Sequence, residues 1–253
     1  NLHVTGAGSG GQFFPRFTYE KVDPDDGTFD FPAGDDAVDE WGYRRTDNIT
    51  DAFQNQYRDV LGDDITKDDI FFFIYGMLHS PTYREKYAAD LKKMLPRVVP
   101  PQSRGDFDTL VLAGEKLSAL HADYEKVDPY PVVVRVKNGV SPDDRETWRV
   151  QKMTWKSKAD HSGIKYNSKV TIDDIPDDAE RYIVGSKSAL SWILERYQVK
   201  TDSDSGIVND PNDWSDEHDD PKYIVELIKR VTTVAVRTRK IGDERGKAQN
   251  LTS

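Results

Sequence analysis

The apolar positions of the chain change period near its middle. Between residues 48 and 125 they recur at helical spacing. Phe53, Tyr57 and Val60 mark one face of a first helix, with Asn48 and Asp51 as a capping-box-like start and Gly62 as its stop. Thr66 and Asp69 open a second, IFFFIYGMLH, apolar on nearly every side and therefore expected at the centre of a bundle. Ser80-Pro81 pairs an N-cap with proline at the first helical position and opens a third, PTYREKYAADLKKML, ended by Pro96. A fourth, over 106–125, carries Phe107, Leu110, Leu117, Leu120 and Tyr124.

Beyond Pro129 and Pro131 the period shortens to two. VVVRV, TWRVQKMTW and IKYNSKVTI read as strands. In the third, Ile164, Tyr166, Val170 and Ile172 face one way, leaving Lys165, Asn167, Lys169 and Thr171 pointing outward together. Two short helices follow, DDAERYIVG and KSALSWILERY. A long amphipathic helix closes the chain, with the stripe Tyr223, Ile224, Leu227, Ile228, Val231, Val234 and Ala235. The predicted class is α+β: a helical bundle part, a small antiparallel sheet and the closing helix. The segments are a strand pair at 1–22, an acidic connection at 23–46, a helical subdomain at 47–128 and a β-containing subdomain at 129–253. Together they make one compact domain. No internal repeat is visible, and the start at Asn1 reads as that of a piece of a longer polypeptide.

Composition narrows the function classes. The chain has 253 residues, five Trp, twelve Tyr and ten Phe, enough to bury a sizeable core. It has no cysteine, which excludes disulfides and thiolate-held zinc and suits a reducing cytoplasm. The longest apolar run, IFFFIYGML, is far too short to span a bilayer, so no membrane partner is expected. A net charge of −10 argues against nucleic acid only until its distribution is read. Residues 23–69 hold fifteen acids against Arg44, Arg45, Arg58 and Lys67. Residues 135–170 reverse the balance, with nine bases against Asp143, Asp144, Glu146 and Asp160. A local basic patch decides binding, because screening removes distant charges.

No catalytic constellation accompanies these charges. There is no GxxxxGK[ST], GxSxG or HExxH, and no Glu-x-Lys of the common nuclease kind. The five histidines are scattered, and His79 reads as a capping or core residue. Gly6, Gly8 and Gly11 spell GxGxxG, but FFPRF follows where a dinucleotide site needs a helix. Asp202, Asp204 and Gly206 resemble the start of an EF-hand loop. Its glycine falls one place early, and Asp213 stands where a bidentate glutamate belongs, so calcium binding is not expected. The remaining candidate chemistry is recognition. Arg84, Lys92, Lys93 and Arg97 surround Tyr83 and Tyr87, while Arg149, Lys152, Lys156, Lys165 and Lys169 interleave with Trp148, Trp155 and Tyr166. Such faces suit a DNA backbone or groove reader, in which Asn167 pairs with adenine edges. They equally suit a solvated polar face, and composition does not separate the two.

A resemblance does. The segments "DITKDDIFFFIYGMLHSPTYREKYAADLKKMLPR", "AGEKLSALHADYE" and "KSALSWILERYQVKTDSDSGIVNDPNDWSDE" resemble the C-terminal specificity domain of type ISP restriction–modification enzymes, from about Phe13 to about Ile241. Those enzymes join a nuclease, a helicase-like motor, an adenine methyltransferase and a target-recognition domain in one polypeptide. The resemblance implies a domain that reads double-stranded DNA and positions the upstream methyltransferase and motor, or else a non-catalytic scaffold or accessory domain of a DNA helicase without direct base readout. It implies no catalytic residue, cofactor or metal here, and ATP, Mg and S-adenosylmethionine for the parent enzyme. The acidic stretch after Tyr197 becomes a structured family loop, placed to cap the closing helix or to dock on the methyltransferase.

Overall fold

The computed structural model describes residues 14–22, 38–91 and 93–249, the stretch 244–249 by its backbone alone. The HVTG strand, the Gly6–Gly8–Gly11 motif, most of the acidic connection and Lys92 lie outside them. The described residues group into two compact units: those up to 78 with 88–115, and 79–87 with those from 116 onward.

The first unit opens with a two-stranded antiparallel ribbon, β1 (Phe17–Lys21) and β2 (Tyr43–Asp47), paired Phe17 with Asp47 and Lys21 with Tyr43. Helix α1 (Asp51–Leu61) starts at Thr50, whose hydroxyl accepts from Phe53 N, and not at Asn48. It ends at Gly62, where φ is 117°. Helix α2 (Lys67–Leu78) begins with the expected reciprocal cap: Asp69 Oδ2 accepts from Thr66 N at 2.8 Å, and Thr66 Oγ1 from Asp69 N at 3.1 Å. Only Ile70, Phe73 and Gly76 of α2 are buried, so its all-round apolar pattern overstates its depth.

Helix α3 (Pro81–Lys86) has the expected Ser80 cap and Pro81 start but stops at Tyr87, well short of Pro96. The extension lacks tertiary support, since Met94 and Leu95 stay about half exposed, and a helix with no face to bury is marginal in water. Helix α4 (Arg104–Ala122) starts in the first unit and ends in the second. Tyr57, Ile65, Ile70, Phe73, Phe107, Leu110 and Val111 form the core of the first unit. There α2 and α4 touch backbone to backbone. A Cβ on Gly114 would lie 1.8 Å from Phe72 O, and one on Gly76 would lie 2.3 Å from Leu110 O.

The second unit holds a four-stranded antiparallel sheet of β3 (Val133–Val136), β4 (Thr154–Trp155), β5 (Ile164–Lys165) and β6 (Val170–Asp173), in the order β3-β6-β5-β4. Its register lines up Arg135, Thr171, Lys165 and Thr154 on one face and Val134, Ile172, Ile164 and Trp155 on the other. The second row faces a core completed by helices α5 (Asp177–Arg181), α6 (Ala189–Arg196) and α8 (Tyr223–Gln249). Two small hairpins, β7 (Ile183–Val184) with β8 (Lys187–Ser188) and β9 (Lys200–Thr201) with β10 (Val208–Asn209), and the short helix α7 (Asn212–Glu217) fill the connections.

Two of the expected strands differ. IKYNSKVTI is a hairpin, because Asn167 Oδ1 accepts from both Lys169 N and Val170 N at 2.8 Å and turns the chain. TWRVQKMTW is mostly irregular: Thr147, Trp148, Val150 and Met153 are all buried, a spacing no single strand produces. The α+β class holds, and among the described residues no helix is long and apolar enough to cross a membrane.

Candidate nucleic-acid interface

A groove of about 410 Å³ opens on the outward face of the sheet. The approach to β4 supplies Glu146, Arg149, Gln151, Lys152 and Thr154, and the β5–β6 hairpin supplies Lys165, Asn167, Ser168 and Lys169. Five of the ten residues expected from sequence to meet DNA thus come together. Thr154 and Lys165 are opposed in the sheet, so antiparallel pairing itself sets their side chains together on one face. Four cations against the single carboxylate of Glu146 make the lining electropositive.

The four cations are not equivalent. Arg149 is held at 2.8 Å by Asp216, with Asp210 at 3.6 Å and Glu146 at 3.9 Å. Lys169 Nζ donates to Glu146 O at 3.0 Å. Lys152 and Lys165 are exposed and have no carboxylate partner among the described residues. They are the charges free to meet a phosphate.

Asn167 does not face outward as a reader. Its Nδ2 donates to Thr147 O and Arg149 O at 2.9 Å, and its Oδ1 accepts the two turn N–H groups. An amide has two donors and one acceptor oxygen with two lone pairs, so none is left for a base edge. Gln151, missed in the sequence because it sits in a stretch read as regular strand, lines the same groove exposed. Its side-chain amide has no partner among the described residues.

The aromatics also take another role. Tyr166 is fully buried and donates to Trp148 O at 2.7 Å, Trp148 is 6% exposed, and Trp155 packs on the core and stacks on His161. They support the groove from beneath and offer no ring for a base. Lys156 is bound to Asp173 at 2.7 Å, and that hydrogen bond, with Arg135 also beside it, holds the Asp173 carboxyl below the usual carboxylate range. Arg84 lines a different cavity of the second unit. Lys93 and Arg97 are exposed residues of the first unit, beyond the end of α3.

The acidic stretch is packed against the groove's own segment. Asp216 and Asp219 meet Arg145 at 3.0 and 2.8 Å, and Arg149 with Arg145 holds the Asp216 carboxyl below its usual value. Between them, buried Asn212 bonds both Val150 N and Val150 O at 2.8 Å, as a neighbouring strand would. Asp220 Oδ1 accepts from Lys222 N at 3.2 Å in the turn that leads into the closing helix, which begins at Tyr223. Asp202 Oδ1 accepts from Asp204 N, Ser205 N and Ser205 Oγ, closing the β9–β10 turn. Among the described residues no group of three His, Asp or Glu is arranged to hold a metal.

The model of the type ISP C-terminal specificity domain matches residues 1–227. Among solved structures, the ATP-dependent type ISP restriction–modification enzyme LlaBIII bound to DNA is 31% identical with a TM-score of 0.72, over 91% of this chain and 13% of that one. A nuclease-deletion mutant of the type ISP enzyme LlaGI in complex with a DNA substrate mimic is 40% identical with a TM-score of 0.63, over 79% of this chain and 14% of that one. The DrdV–DNA complex gives 30% identity and a TM-score of 0.67, over 80% of this chain and 20% of that one. No curated protein sequence matches. The chain spans 13–20% of the length of these solved relatives.

Proposed function

The chain belongs to the type ISP C-terminal specificity domain family, and from that premise we propose that it is a DNA target-recognition domain whose groove on the β4–β5–β6 face reads a duplex site. The observation that carries this reading is the pairing of two lysines, Lys152 and Lys165, with the Gln151 amide in one electropositive groove, none of the three side chains having a partner among the described residues. The lysines take phosphates and set register; they carry no sequence information. The Gln151 amide donates and accepts in the pattern that matches the N7 and N6 edge of adenine in the major groove. Thr154 and Ser168 add hydroxyls to the same wall. Arg149 and Asn167 shape the groove without touching bases.

The domain binds and positions, and makes or breaks no bond itself. Methyl transfer, translocation and cleavage, with S-adenosylmethionine, ATP and Mg, belong to the methyltransferase, motor and nuclease of a parent polypeptide acting in the cytoplasm. The test is Gln151→Ala against a preferred duplex, selected from a random pool, and its scrambled counterpart at matched salt. The variant narrows the affinity gap between the two by about 1–3 kcal/mol, the worth of one bidentate base contact. An unchanged gap removes Gln151 as a reader.

A further inference from the structure

The second unit has another concave site, lined by a different set of residues. Three guanidinium groups and one carboxylate, Arg84, Arg181, Arg239 and Glu85, line a cavity of about 230 Å³. They come from three helices: α3, the end of α5, and α8. Their charges are poorly compensated. Arg84 has no ion pair among the described residues. Arg84 and Tyr182 line the cavity together; burial pushes the Tyr182 hydroxyl up and the Arg84 charge pulls against it. Arg181 meets Asp178 only at 3.9 Å. Arg239 reaches Asp243 through Nη2 at 3.3 Å, while its Nε, closed to solvent, has no hydrogen-bond acceptor among the described residues. Asp178 and Asp243 are not in the lining.

The rest of the wall carries no carboxylate. His121 shares a hydrogen bond with Thr238 Oγ1 at 2.8 Å and meets Tyr182 Oη at 3.4 Å. Burial, with His79 beside it, pushes His121 down to about 4, so at neutral pH it adds no charge and fixes two lining hydroxyls. Planar guanidinium forks match phosphate oxygens in pairs. The volume lies below the roughly 300–1,000 Å³ of pockets that enclose whole drug-sized ligands, so it suits a charged head group and not a complete nucleotide.

We propose that the Arg84–Arg181–Arg239 cavity binds a single phosphate group, the chemistry shared by one position of a DNA backbone and by free phosphate. The site stands independently of the groove, and the two ideas fail separately. Inorganic phosphate is titrated calorimetrically into the 253-residue chain and into Arg84→Gln, Arg181→Gln and, as control, Lys200→Gln. Arg84 and Arg181 are exposed, so both variants keep the fold, which far-ultraviolet circular dichroism checks. The expected result is one saturable site, weakened about tenfold or more by either arginine variant, the loss of a charge-assisted contact, and unchanged in Lys200→Gln. Duplex titrations across salt then identify the source. A backbone phosphate lowers the slope of log affinity against log salt by about 0.9 in Arg84→Gln. A free phosphate leaves that slope intact while phosphate uptake falls. Phosphate uptake that is absent or indifferent to both arginines, together with an unchanged duplex slope, overturns the proposal.

Discussion

Asn167 uses its whole amide on the chain that folds around it: two carbonyls of the 147–149 segment and two N–H groups of its own turn. Removing it leaves four part-buried backbone groups to be satisfied by water instead. Asn167→Ala is therefore expected to lower the free energy of unfolding by about 1–3 kcal/mol in urea melts. Its effect on duplex discrimination should follow from that loss alone. Preserved stability with narrowed discrimination would return Asn167 to the base edge. The residue types of the groove were legible in sequence, since Lys152, Lys165 and Lys169 stand out as bases between apolar positions. Their partners were not. Arg145 finds Asp219 across 74 positions and Arg149 finds Asp216 across 67, and no local pattern reports which bases such pairing removes from binding.

Among the elements, those with both a periodic stripe and a cap were legible: α1, α2 and α8 stand close to where the pattern puts them. The misread ones depend on tertiary contacts. A helix that loses its burial stops early at Tyr87, and a strand pattern interrupted by Asn-Ser becomes a hairpin. Gly114 makes the same point in the opposite direction. Alanine is the better helix former by about 1 kcal/mol, so propensity alone predicts that Gly114→Ala stabilises α4. The Cβ would fall 1.8 Å from Phe72 O, and a backbone atom cannot swing aside as a side chain does. We expect a net loss of about 1–3 kcal/mol, the usual cost of overpacking, read as a lower urea midpoint. A raised midpoint would mean that the two helices do not meet there.

The packed acidic stretch carries a pH signature. Asp216 is depressed below its ordinary value of 3.8 by Arg149 and Arg145. A carboxylate with a lowered folded-state pKa contributes stability that is complete above the unfolded pKa and disappears as pH falls through the folded one. The difference in thermal midpoint between the native chain and Asp216→Asn should be constant above about pH 5 and close progressively below about pH 4. A difference that persists at the acid end would assign the effect to packing and not to charge.

For the molecule as a whole, charge is segregated. A chain of net −10 places its outward sheet face in the 135–170 stretch, where bases outnumber acids. The acids around that face are engaged, Asp173 by Lys156 and Arg135 and Asp216 by Arg145 and Arg149, while Lys152 and Lys165 have no carboxylate partner among the described residues. A salt titration tests whether this groove holds duplex DNA. Equilibrium binding of the native chain and of the Lys152→Ala/Lys165→Ala double variant to the preferred and scrambled duplexes is followed by fluorescence anisotropy from about 50 to 200 mM salt. Two lost phosphate contacts predict weaker binding to both duplexes and a log–log salt slope reduced by about 1.8. The preference between the duplexes should be kept, because phosphate contacts do not read sequence. Unchanged affinity and slope in the double variant would place the DNA elsewhere on the domain.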